Sequence, residues 1–238
     1  MKLHLRCILP FLLFLITLLM VGCGKEDVFK NPTAVLFDIT MDPSGAGASD
    51  NLTLNNGYII LSSFSVIGER DQAENFEFSR SFPNGLKIPF YSQTTFDDLS
   101  FELPQGDYSR LVVRFETVRT AANEASLFVE GGYKYRNPNK VPSAVAVHVK
   151  WSKIQQFEVD VTTALGNNKL TLSEDKVERP YIVLTPKSWF ANVSELMLNN
   201  ASFIGVGGVQ TIIIDENMNH TLFNEVDALV RTNLKCTL

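Results

Sequence analysis

The side chain in this sequence with the most defined chemistry is a thiol. Cys23 follows Met20-Val21-Gly22 and precedes Gly24-Lys25-Glu26-Asp27. Small Val21 and Gly22 fit the narrow pocket of a signal peptidase just before a cut, and the Cys23 thiol is placed to accept a diacylglyceryl group. An ordinary secretory site would instead show an A-x-A-like triplet. Lipidation at Cys23 is the expectation, with the mature chain starting there. Two or three acyl chains give stable attachment where one gives only marginal binding.

Other chemistry finds less support. After Cys23 the histidines are His148 and His220, with no H-x-x-x-H or C-x-x-C spacing, so no metal site is expected. There is no G-x-S-x-G for acyl transfer. Gly205-Val206-Gly207-Gly208 lacks the spacing and the lysine of a phosphate loop. Asp97-Asp98, Glu174-Asp175 and Asp215-Glu216 pair carboxylates, but neighbours on a strand point to opposite faces, and a glycosidase needs two carboxyls facing each other across a cleft. No cofactor and no catalytic residue is expected. Asp42 to Asn51 is rich in oxygen donors, yet it matches no calcium loop and reads as an ordinary loop. Aromatic rings are the remaining lead, because sugar rings stack on exposed aromatic faces. Tyr133 and Tyr135, beside Gly131-Gly132 and Asn137-Pro138-Asn139, are the candidate ligand platform, with edge-strand packing as the alternative. Trp151 and Trp189 fall in apolar phase and read as core.

The elements that position these residues follow from composition and periodicity. Lys2 and Arg6 precede an apolar run from Cys7 to Val21, an n-region and an h-region. At about 15 residues the run is shorter than the roughly 20 that span a bilayer. Residues 1–22 are thus a signal peptide and 23–32 a tether. Without Lys2 and Arg6 the 21 basic residues become 19 against 26 acidic ones, a formal charge near −7. That sign disfavours nucleic acid and a polybasic grip on anionic lipid, leaving the acyl chains as the membrane contact. Cys236 is the one thiol left over, so no internal disulfide is expected.

From Thr33 onward apolar residues alternate with polar ones. Val35, Phe37, Ile39 and Met41 share one face of a strand. Leu52 and Leu54 begin another, Asn55-Asn56-Gly57 reads as a turn, and Tyr58 to Gly68 is apolar on both faces, as a central strand would be. Phe76, Phe78 and Phe82, then Leu86, Ile88 and Phe90, predict two amphipathic strands. Pro104-Gln105-Gly106 is a turn between strands. Val145, Val147, Val149 and Trp151 give the clearest alternation, with Ala146, His148 and Lys150 on a solvated face. Strands at short intervals favour an antiparallel β-sandwich over residues 33–185. Within 186–238, Pro186 behind Thr185 opens a helix carrying Trp189, Val193, Leu196 and Met197. Thr211 to Ile214 is a buried strand, and Leu222, Val226, Leu229 and Val230 mark a last helix. The expected fold is mainly β, an antiparallel sandwich with two C-terminal helices docked on it.

Two stretches carry resemblances. Cys23 followed by Lys25-Glu26-Asp27 resembles the export signal of surface lipoproteins of Bacteroidota, which implies an outer-membrane protein facing outward. Leu103-Pro104-Gln105-Gly106-Asp107-Tyr108, the Val129-Glu130-Gly131-Gly132-Tyr133 stretch and Val141-Pro142-Ser143 resemble uncharacterised β-sandwich lipoprotein domains, Ig-like or transthyretin-like. This implies a fold and no activity. Together they imply a non-catalytic surface module that binds a glycan or a partner protein. A fimbrial or other structural envelope subunit is the alternative, weakened because the first arginine after Arg6 is Arg70. A glycan-active enzyme ranks below both.

Overall fold

The computed structural model describes residues 31–44, 49–71, 73–91, 97–121, 124–136 and 142–238. Cys23, Lys25, Glu26 and Asp27 lie outside the described residues. The fold is mainly β. In chain order the strands are β1 (Pro32–Leu36), β2 (Asp38–Met41), β3 (Leu52–Arg70), β4 (Phe76–Pro89), β5 (Ser100–Pro104), β6 (Gly106–Thr117) and β7 (Leu127–Lys134). They continue with β8 (Ala144–Trp151), β9 (Gln156–Thr162), β10 (Leu170–Leu172), β11 (Tyr181–Leu184), β12 (Phe203–Val206), β13 (Val209–Ile214) and β14 (Lys235–Thr237).

One large sheet runs β12-β13-β8-β7-β3-β6-β9-β14-β11-β2, with β4 added to β3 and β10 to β6, while β1 and β5 pair separately. β3 is the strand that joins its two halves. Its first part pairs with β7 from Leu52 to Ile59, its second part pairs with β6 from Leu61 to Arg70, and an irregularity at Leu61/Ser63 marks the handover. β4 pairs with β3 from Tyr58 to Gly68. A strand with partners along both edges and buried Ile59, Leu61, Phe64 and Val66 is central, as its apolar run predicts. Asn55-Asn56-Gly57 is not a turn. It is absorbed as a bulge between Leu54 and Asn56, and the strand continues through it.

Buried side chains from both halves of the sheet form one cluster. Phe37, Phe64, Phe101, Phe115 and Phe157 make a chain of ring contacts with centroids 4.8 to 6.1 Å apart. Val145, Val147, Val149 and Trp151 all face this interior, so the phase read from their alternation holds. At Gly131 the β7 backbone comes so close to β3 that a Cβ would lie 1.8 Å from the Thr53 carbonyl oxygen, which restricts the position to glycine. The Leu103-to-Tyr108 motif also has a structural reason: the buried Tyr108 hydroxyl donates to the Pro104 carbonyl and pins the crossing from β5 to β6.

Several expectations need correction. The strand from Thr33 to Met41 breaks at Phe37, whose amide donates to the Leu99 carbonyl instead of to a β-ladder. The two expected strands from Phe76 to Phe90 are one strand, β4, with an irregularity in its pairing. The sheet is mixed and not purely antiparallel, because β13 runs parallel to β8, β11 to β2 and β14 to β9. Pro186 to Met197 is not one amphipathic helix: Pro186–Phe190 is a 3-10 turn, a short helix covers Glu195–Asn199, and Leu196 is exposed. The last helix, His220–Leu229, does form and buries Leu222, Phe223 and Val226. It does not end the chain. β14 follows and inserts between β9 and β11, burying Cys236 and pushing its thiol pKa up to about 12. Residues 186–238 therefore contribute three strands to the large sheet.

Candidate functional site

Tyr133 and Tyr135 do not form an exposed platform. Tyr133 is fully buried and Tyr135 is 6% exposed, and their rings meet edge to face at 5.2 Å. The Tyr133 hydroxyl donates to Asn199 Oδ1 at 3.0 Å, which ties β7 to the short helix. The physical reason is phase. Leu127, Val129 and Tyr133 point inward from β7, whereas Phe128 points outward. Asn137, Pro138 and Asn139 lie outside the described residues, and Arg136 before them pairs with Glu195 at 2.8 Å. Asp42 is engaged locally, its carboxylate accepting from Ser44.

The candidate histidines and carboxylates are not brought together. His148 is on β8, and His220 opens the last helix. Glu174 accepts from Asn31 and Gln105, Asp215 from the amides of Asn217 and Met218, and Glu216 from Ser152. Among the described residues no group of three or more His, Cys, Asp or Glu is placed to hold a metal.

What the topology does assemble lies on the outer face of β3, β7 and β8. The register sets Tyr58 beside Phe128 and Phe128 beside Lys150; one rung along, it sets Asn56 beside Glu130 and Glu130 beside His148. Their rings interact in a row. Tyr58 and Phe128 lie 5.4 Å apart, Phe128 and His148 meet edge to face at 5.3 Å, and the Lys87 ammonium from β4 covers Tyr58 at 3.8 Å. Such ring pairs and a cation over a ring each add about 0.5–1.5 kcal/mol beyond burial, which favours this arrangement of the row. Asn56 donates to Glu130 at 2.7 Å, and Glu130 stands 3.6 Å from His148.

Two adjoining clefts meet at His148. One, of about 480 Å³, is lined by Tyr58, Phe128, Lys87, Lys150, Glu124 and Val206 among others. The second, of about 560 Å³, is more polar and is lined by Thr53, Asn56, Glu130 and Ala146. Aromatic walls with a few placed donors and acceptors are the general form of a small-ligand site. Burial, then the Glu124 charge, raises the Tyr58 pKa, so its hydroxyl stays protonated and able to donate. Sequence reasoning placed His148 and Lys150 on a solvated face but missed Tyr58 and Phe128. The period-two phase of β7 held the signal for Phe128; for Tyr58 it was hidden by the bulge at Leu54/Asn56.

His148 is not freely solvated. Burial chiefly, with the Lys150 charge, holds its imidazole below the ordinary histidine value, against the opposing pull of Glu130. The folded chain therefore binds fewer protons than the unfolded chain in the window just below the ordinary value of about 6.5. Stability is expected to fall as pH drops through that window and to level off below the folded-state value. Replacing His148 with Gln should flatten this part of the profile, as read by urea unfolding at pH 7.5 and 5.

No known protein family, curated protein or solved structure matches this chain.

Proposed function

We propose that this protein is a lipid-anchored outer-membrane protein, displayed at the cell surface, that binds a glycan without transforming it. The observation that carries the reading is the row of Lys87, Tyr58, Phe128 and His148 above two open clefts, flanked by Asn56, Glu130 and Lys150. A sugar presents an apolar C–H face and a rim of hydroxyls. The ring row and the amide, carboxylate and ammonium groups around it offer complementary partners for both.

The two halves of the sheet are read as the two layers of a sandwich, joined by β3. The shared buried cluster and the pinned tyrosine of Tyr108 support this, since such tyrosine corners recur in sandwiches. The anchor rests on Cys23 and its small neighbours, and the outward address on Lys25, Glu26 and Asp27.

A glycan array probed with the full detergent-solubilised chain tests the reading. Phe128→Ala and Tyr58→Ala are each expected to weaken a detected interaction about tenfold, the equivalent of about 1.4 kcal/mol. Tyr133→Phe, which alters a buried residue away from the clefts, should leave binding unchanged. Binding that survives both ring deletions, or turnover of an offered glycan, would overturn the proposal. Separately, Cys23→Ala is expected to move the protein from membrane to soluble fraction, and a wild type that incorporates no labelled lipid would refute the anchor.

A further inference from the structure

We propose that the cleft between Lys87 and Lys150 takes an acidic sugar, one bearing a carboxylate or a sulfate, and that the adjoining cleft takes the neutral part of the same glycan. The inference rests on the glycan reading above and names the chemical class of its ligand.

The two clefts differ in the sign of their charge and in what satisfies it. Lys87 on β4 and Lys150 on β8 both line the first cleft, with Val206 of β12 contributing to its wall. The register puts Tyr58 of β3 and Phe128 of β7 between the two lysine strands, so ammonium groups flank the ring row. Lys87 leans inward until its ammonium stands over the Tyr58 ring, and Lys150 is half-buried, its charge acting on His148. Among the described residues neither lysine makes an ion pair. Arg110 and Arg114 on β6 show the alternative, matched with Glu69, Glu158 and Asp160 at 2.7 to 3.7 Å. A ring face is a weaker partner for an ammonium than a carboxylate or sulfate oxygen that also accepts its hydrogen bond.

Glu124 lines the same cleft, so the two lysines leave it one positive charge in excess. His148 adds none at pH 7.5, because burial chiefly, with the Lys150 charge, holds its imidazole below the ordinary value. The second cleft has the opposite bias. Its charged side chain is Glu130, already accepting from Asn56, while Thr53, Asn55 and Asn56 supply uncharged donors and acceptors suited to sugar hydroxyls. An acid placed there would face a carboxylate, so repulsion in one cleft and attraction in the other set the same orientation of the ligand.

The formal charge near −7 opposes the approach of any anion from afar. At an ionic strength of about 0.15 M, however, that field is screened beyond about 8 Å, whereas an ammonium meets its ligand at hydrogen-bond distance. Contact and not steering therefore selects the acid. Lys150 matters most in this respect, since a half-buried ammonium has given up part of its hydration and gains more from an anionic partner than a fully solvated one.

A glycan array probed with the full detergent-solubilised chain at pH 7.5 tests the inference when it carries matched pairs. Oligosaccharides bearing uronic acid, sialic acid or sulfate each stand beside an uncharged counterpart, and the carboxylated and sulfated pairs read separately show which acid fits. An acidic member of either kind is expected to bind at least about tenfold more tightly than its neutral counterpart. That preference should shrink as sodium chloride is raised to about 0.5 M. Lys150→Gln and Lys87→Gln should each reduce it, and the double variant should abolish it. Lys150→Arg should keep it, and Glu124→Gln should enlarge it by removing a like charge. Urea midpoints of the same variants separate a lost preference from a lost fold. Equal binding of acidic and neutral members, or a preference that survives in the folded double lysine variant, would overturn the inference. If that binding still fell with Tyr58→Ala and Phe128→Ala, the glycan reading would stand without it; silence across the whole array would overturn both.

Discussion

Val147→Asp is expected to cost about 4 kcal/mol or more, enough to leave much of the protein unfolded at neutral pH. Val147 is fully buried and lies between Gly131 of β7 and Ile212 of β13 in the register, so a carboxylate there gains no partner and displaces packed apolar atoms. His148→Asp, one residue along, turns to the outer face. It is not expected to be neutral, because the new carboxylate would stand against Glu130 and the ring contact with Phe128 would be lost. About 1–2 kcal/mol is the expected cost. Urea unfolding of the two variants reads the difference directly. Equal destabilisation would mean that the strand's inner and outer faces are wrongly assigned.

Trp151→Ala is expected to cost about 3–5 kcal/mol. The Trp151 ring is fully buried, meets Trp189 edge to face at 5.6 Å and lies 6.0 Å from Phe223, so it is where β8, the 3-10 turn after β11 and the last helix are packed together. Its Nε1 donates to Asp227 Oδ1 at 2.8 Å. Trp151→Phe keeps most of the apolar contact and removes the donor, and about 1–2 kcal/mol is expected, since Asp227 retains access to water. Because the hydrogen bond is shared, Trp151→Phe and Asp227→Ala should be non-additive in a double-mutant cycle on urea midpoints. Additive losses would show that the indole serves only as packing volume.

Much of the strand content was legible because burial on one face imposes a period of two. Val145 to Trp151 is the plainest example: its phase, the buried Trp151 and the outward His148 all follow from alternation alone. Tyr58 to Gly68 was legible as a central strand from its apolar run, but not its faces: the irregularity at Leu61/Ser63 puts Ile59, Leu61, Phe64 and Val66 on one buried face and leaves Ile60 and Ile67 half-buried on the other. The same reasoning failed where a local signal competed with tertiary pairing. Asn55-Asn56-Gly57 has the composition of a turn, yet neighbours along both sides of β3 hold it extended, and a bulge takes up the mismatch. Leu196 and Met197 extend a helical pattern from Trp189, but Val193 ends up buried between two short turns and the pattern is coincidental.

The sequence by itself determined the β-rich class and the core face of strands such as β8, because each depends on residues adjacent in the chain. Only the tertiary structure decided which strands are neighbours. Pairing β7 and β8 beside β3 sets Tyr58, Phe128 and His148 in one row although they are far apart in sequence, and no periodicity encodes that juxtaposition. It likewise turned Tyr133 inward, through the phase of β7 against the core, and left the uncharged β12 at the sheet's edge, since edge or centre is a property of the assembled ladder and not of the strand's own residues.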